Sequence, residues 1–182
     1  PDHLDKQHRF PIERPYDYQE FYEPKIKFFK KFKEVTNLDL KIAAHPRTNY
    51  DKNPYLKSNK VYHDKTLELI SRSKIVLTQH SSALSWAVLL KKPLLFFLQD
   101  TNQHDHKMHT RQIAEYFQKE AINISNVNFN KIMFEKEMKV DKKIYKLFKK
   151  QFIIDLQNPN ITSYEIIFNN IKQLKNYKSY NS

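Results

Sequence analysis

A chain of 182 residues that contains no glycine must build every tight turn and every helix end from residues that carry a Cβ. Average usage of about 7% would supply roughly a dozen glycines at this length. Their absence excludes the dinucleotide-binding G-x-G-x-x-G turn and the phosphate loop together, because both need glycine where the backbone closes on phosphate. A phosphate site in this chain has to be assembled from side chains and helix ends instead. Left-handed positions that end helices fall to ordinary residues, at a cost of roughly 1 kcal/mol each.

Cysteine is absent as well. Disulfides, thiolate metal sites and cysteine nucleophiles are thereby excluded, and the expected address is the cytoplasm. Hydrophobic residues at 40%, including 13 Phe and 11 Tyr, are enough for a core despite 29% charged residues and a mean hydropathy of −0.77. A single domain of this size buries roughly 70% of its unfolded surface. The net charge of +12 comes with 27 Lys and 15 Asn, a bias that resembles drift toward AT-rich codons, so it is weak evidence for a polyanionic partner. No uninterrupted apolar run reaches the roughly 18 residues of a membrane span, because Ala83–Leu90 and Pro93–Leu98 are split by Lys91 and Lys92. The chain opens at Pro1 without a hydrophobic leader and reads as part of a longer protein.

Residues 1–15, with three prolines, read as an extended lead-in. Phe21, Tyr22, Ile26, Phe28, Phe29, Phe32 and Val35 recur at helical spacing, with Pro24 expected early in that helix. A strand is expected over Leu38–Ala44, a loop over 48–60, a very short strand at Val61 and Tyr62, and a helix capped by Asp64 through Ser71. Lys74–Thr78 (KIVLT) and Leu94–Leu98 (LLFFL) are continuous buried strands flanking an apolar helix over Ser82–Leu90, in which Trp86 is expected to be core. Gln99–His109 reads as a polar loop, Arg111–Lys119 as a helix and Ile122–Ile124 as a strand. Helices are expected over 141–156 and 163–176, with a frayed tail from Lys175. Continuous strands alternating with helices imply a doubly wound, Rossmann-like parallel sheet with helices on both faces. It would occupy 1–130, and 131–182 would be a Lys-rich helical extension packing across it.

Open parallel sheets bind ligands outside the carboxyl ends of their strands. Two segments sit there. After the strand at 38–44 comes His45-Pro46-Arg47-Thr48-Asn49, where proline biases His45 toward extended geometry beside the Arg47 cation. After 74–78 comes Gln79-His80-Ser81-Ser82, where hydroxyls meet the free amides and positive dipole end of a helix start. Plain serine capping and a solvated loop cation are the competing readings of the two segments.

In order and spacing, LKIAAHPRTNY followed by TLELISRSKIVLTQHSSALSWAVLLKKPLLFF resembles the C-terminal nucleotide-sugar-binding half of GT-B-fold glycosyltransferases that build bacterial capsule, lipopolysaccharide and sialylated glycans. The resemblance covers about residues 38–98. It implies that the fold is one half of a GT-B enzyme and that the donor is a nucleotide-sugar, a CMP-sugar such as sialic acid or Kdo first and a UDP-sugar second. It further implies that His45 is catalytic and that Arg47, Asn49, His80, Ser81 and Ser82 bind the substrate. The acceptor would be a glycan or a lipid-linked glycan, with no cofactor and no metal. Relatives place a glycine before the Lys-Pro pair, where this chain has Lys91; a left-handed lysine there would cost roughly 1 kcal/mol, so the helix is expected to end differently. Inverting members carry their base in the N-terminal half.

His104, His106 and His109 lie at no recognised zinc spacing and read as loop histidines. Asp100 and Asp105 are not distinguishable from solvated loop acids. Lys142, Lys143, Lys146, Lys149 and Lys150, interleaved with Ile144, Phe148 and Phe152, suit a solvated face or peripheral contact with anionic lipid at the inner membrane. Nucleic acid is not an expected partner, since the lysines are spread along the chain and no recognised binding signature occurs. The alternatives to a transferase are a noncatalytic nucleotide-sugar-binding or assembly subunit and, behind it, a basic nucleic-acid-binding module.

Overall fold

A computed structural model describes residues 18–45 and 60–153. Over these the chain is α/β, with short parallel strands flanked by helices. The elements in order are α1 (Tyr18–Thr36), β1 (Lys41–Ala43), β2 (Lys60–Tyr62), α2 (Thr66–Arg72), β3 (Val76–Thr78), α3 (Leu84–Leu89), β4 (Leu94–Leu98), α4 (His104–Tyr116), β5 (Ile122–Asn123), α5 (Lys131–Glu137) and α6 (Lys142–Phe152). The helix expected over 163–176, the lead-in and the frayed tail lie outside the described residues.

β4 is the centre of the molecule. It pairs in parallel with β3 on one side, Val76 opposite Leu94, and with β5 on the other, Phe97 opposite Ile122. Its side chains alternate between two cores. Leu94 and Phe96 pack with Ile70 of α2, Leu84, Ala87 and Val88 of α3, Ala114 of α4, and Ile144, Tyr145 and Phe148 of α6. Leu95 and partly buried Phe97 face the other way, toward Phe28 and Phe32 of α1, Phe129, and Met133 and Phe134 of α5. Helices therefore cover both faces of the three-stranded sheet, and burial on both sides explains why LLFFL is apolar without alternation. Phe32 and Phe129 stack at 5.5 Å, closing the second core.

One doubly wound sheet is expected, but the strands form two hydrogen-bonded groups among the described residues, β1–β2 and β3–β4–β5. β1 has no fully buried residue and pairs with β2 alone, Lys41 opposite Lys60. α2 packs against both β1 and α3, so it bridges the two groups.

Without glycine, helix ends use left-handed non-glycine residues: Asn37 (φ 54°), Lys91 (φ 52°) and Gln118 (φ 54°). After α3, the Lys91 amide bonds to Val88 O at 3.0 Å and the Lys92 amide to Ala87 O at 2.8 Å. This is the double bond of a Schellman cap with lysine in the glycine position. Gln118 and Lys119 repeat it after α4, donating to Glu115 O at 2.8 Å and Ala114 O at 2.9 Å. The helix before the Lys-Pro pair thus ends, against expectation, in the geometry that glycine usually supplies, with the lysine itself in the left-handed position.

Several local expectations are corrected. Pro24 lies inside α1 rather than in its first turn. Asp64 is itself left-handed (φ 54°), and α2 begins after Lys65 with no side-chain cap. Trp86 is 45% exposed, because a six-residue helix buries only Leu84, Ala87 and Val88. α5 falls within the expected helical extension but ahead of the first helix expected in it, which starts at 141. Asn130 caps it through Oδ1, which accepts from the Met133 amide at 3.1 Å. Asp141 caps α6 by accepting from Lys143 and Ile144.

Candidate functional site

The carboxyl ends of β3 and β4 are drawn together by one carboxamide. Asn102 Oδ1 accepts from Gln79 Nε2 at 3.0 Å and from the Gln99 amide at 2.9 Å, so the residues following both strands share one acceptor. Gln99 is fully buried, and its Nε2 donates to Phe21 O at 3.1 Å, which anchors α1 over the same end of the sheet. Gln99 Oε1 is buried without a hydrogen-bond partner. Asp100 closes the neighbouring strand end. Its carboxylate accepts from Asn123 at 2.7 Å and from Asn126 at 3.0 Å, and its amide donates to Ser125 Oγ. That carboxylate is an exposed clasp between β4 and the segment from Asn123 to Asn126.

Around this hub, His80, Ser81 and Ser82 are exposed at the carboxyl end of β3. Ser81 Oγ accepts from the Ala83 amide at 3.2 Å, and Ser82 and Ala83 form a turn before α3 starts at Leu84. This is a local serine turn ahead of the helix, whose N-cap position, Ala83, has no side-chain cap. His45 is exposed at the carboxyl end of β1, in the other hydrogen-bonded group of strands. The structure thus brings His80, Ser81 and Ser82 together on one strand tip, whereas His45 sits on a strand of the other group. Arg47 and Asn49 lie outside the described residues.

α4 starts at His104, seven residues before the expected helix, so Gln99–His109 is not all loop. The consequence is a cluster that a loop reading misses. His106 and His109 share one face of α4 at three-residue spacing and meet His80, with ring centroids 6.4 Å and 5.5 Å from it respectively. Lys25 of α1 joins them. Its ammonium sits 3.1 Å from the centre of the Phe21 ring, a cation–π contact. Burial pushes its pKa down to about 7. His106 is held below the ordinary imidazole value, first by burial and then by the positive charges of His80, Lys25 and His109. Its Nδ1 is buried without a hydrogen-bond partner. The spacing of His106 and His109 is visible in the sequence, but it gains meaning only once the helix is known to begin before them. Nothing in the sequence pairs Lys25 with either.

Among the described residues, no set of three or more His, Asp or Glu side chains is arranged to hold a metal ion, and no helix is long and apolar enough to cross a membrane. No protein-family model, curated protein or solved structure matches the chain.

Proposed function

We propose that this chain is the donor-binding half of a glycosyltransferase, taking a nucleotide-sugar, CMP-linked before UDP-linked, and serving a bacterial surface glycan acceptor as one half of a GT-B fold. The observation that supports this reading is the exposed His80-Ser81-Ser82 stretch at the carboxyl end of a parallel strand, beside β4. Ligands of open α/β sheets bind at that end, and the resemblance puts the donor phosphate on His45, Ser81 and Ser82. Serine hydroxyls at the helix start and the His45 imidazole would donate to the phosphate, stabilising it as the sugar leaves, with His80 binding beside them. His45 would act from the tip of β1, with Arg47 and Asn49 after it. A noncatalytic nucleotide-sugar-binding subunit is the second reading, favoured by the placement of His45 in a different group of strands from Ser81 and Ser82.

Thermal-shift titration of the full chain with CMP, UDP, GDP and their sugars tests it. CMP or CMP-sugar raises the melting temperature, by RT ln(1 + [L]/Kd) in free energy, and Ser81→Ala with Ser82→Ala abolishes most of that rise. Nucleotide stabilisation that survives this double change and His45→Ala places the site elsewhere. Loss of the rise with Ser81 and Ser82 but not with His45 selects the noncatalytic reading.

A further inference from the structure

We propose that Lys25, His80, His106 and His109 form a binding site for a phosphate-type dianion at the carboxyl ends of β3 and β4. The site shares His80 with the donor reading but does not rest on it. Three separate segments converge here. α1 supplies Lys25, whose charge acts on His106, and is anchored by the Gln99–Phe21 hydrogen bond; the stretch after β3 supplies His80, and α4 supplies His106 and His109. All four groups gain positive charge on protonation. Among the described residues none has an ion-pair partner, and none of their side-chain nitrogens has a hydrogen-bond partner.

Positive charge on the inner pair is costly here. Both Lys25 and His106 are shifted toward their neutral forms, and the buried Nδ1 of His106 is left unsatisfied. A ligand carrying two negative charges and several acceptor oxygens reverses each of these costs. It would draw protons onto the cluster and accept charge-assisted hydrogen bonds from it. A metal ion does not suit the cluster, because among the described residues no three His, Asp or Glu side chains are arranged to hold one. With no glycine available for a backbone cradle, side-chain cations are also the means this chain has of holding a phosphate. His80 and His109 are exposed while Lys25 and His106 are half-buried, so a ligand can arrive from solvent and reach the inner pair.

The test is a titration of the full chain with inorganic phosphate, and separately with pyrophosphate, at pH 6.5 and constant ionic strength. Histidine ring signals are followed by NMR and assigned with His80→Asn, His106→Asn and His109→Asn. Saturable shifts of all three are expected. Lys25→Met and His109→Asn each weaken binding at least ~10-fold, the loss of one charge-assisted contact, whereas Lys131→Gln, an equal loss of charge on α5, changes it less than about two-fold. His109 is exposed, so its variant reports even where Lys25→Met fails to fold. Non-saturating shifts, equal weakening by Lys131→Gln, or binding of zinc alone in place of phosphate would overturn the proposal. Phosphate binding here with no nucleotide-induced stabilisation keeps this site and discards the transferase. Nucleotide stabilisation lost with Ser81 and Ser82 but unchanged in Lys25→Met and His109→Asn does the reverse.

Discussion

Lys91 shows at a single position what a glycine-free sequence demands. Its φ of 52° lets two amides reach back to Val88 and Ala87, and Lys92, held in the next position, spends its own ammonium on the last carbonyls around α2. Lys92 Nζ donates to Ser71 O at 2.7 Å and to Ser73 O at 2.9 Å, and the Tyr145 hydroxyl donates to Lys92 O at 2.8 Å. The strain at Lys91 is thus held by a local network linking α2, α3 and α6. Replacing Lys91 with glycine relieves it, and urea unfolding of Lys91→Gly should show a gain of about 1 kcal/mol with an unchanged m-value. A loss instead would mean that the lysine side chain contributes more than its backbone costs. That the helix must end near Lys91 can be read from the sequence, since Lys-Pro follows, but the sequence points away from a left-handed lysine because of its cost, and only the network around Lys92 shows what holds it there. The convergence of Lys25 with His106 and His109 cannot be read from the sequence, because it depends on how α1 crosses the sheet, and no local pattern encodes that crossing.

At the scale of elements, legibility followed burial. β4 has the bounds its apolar run predicts, and α1 carries the expected Phe28 and Phe32 face. Both are dictated by side chains that have to leave water, whatever their neighbours do. The first two turns of α4 read as loop because HDHKMHT is polar, and the short α5, KIMFEKE, has no signal of its own inside the expected helical extension. Tertiary contacts decide them. Lys119, just past α4, donates to Glu137 Oε2 and to Glu137 O, both at 2.8 Å, with the two side chains only 10% and 5% exposed. This buried pair ties the end of α4 to the end of α5, and removing one partner strands the other charge. Glu137→Gln should therefore lower stability by roughly 3 kcal/mol. Lys119→Met combined with Glu137→Leu should recover most of that loss, since apolar replacement of a whole buried pair is often near neutral. A double variant as unstable as the single one would show that the Lys119 bond to the helix-end carbonyl, rather than the ion pair, fastens α5.

At the scale of the whole molecule, the cost of the cationic cluster should appear in how global stability follows pH. Lys25 has a pKa of about 7 in the folded chain against 10.5 as its ordinary value, so between those limits the unfolded chain binds a proton that the native state does not. Stability must then rise with pH across that window, its contribution complete above about 10.5 and lost as pH falls toward 7. His106, also shifted down, acts with the same sign below its ordinary 6.5. Tyr145 opposes them only at the alkaline end, because burial raises its pKa above the usual 10 and its contribution is lost as pH climbs past that value. The clean interval is pH 7.5–9.5. There the unfolding free energy of the wild type should rise with pH, by at most about 1.4 kcal/mol per unit from one proton. Lys25→Met should be more stable at pH 7.5 by at least about 1 kcal/mol, a discounted figure because the lysine is only partly buried, and its slope should be flatter. Saturating phosphate should flatten the wild-type slope in the same way, since a bound dianion stabilises the ammonium that burial disfavours. If wild type and Lys25→Met give parallel lines with and without phosphate, the lysine keeps its ordinary proton affinity and α1 does not bring a desolvated cation to the strand ends.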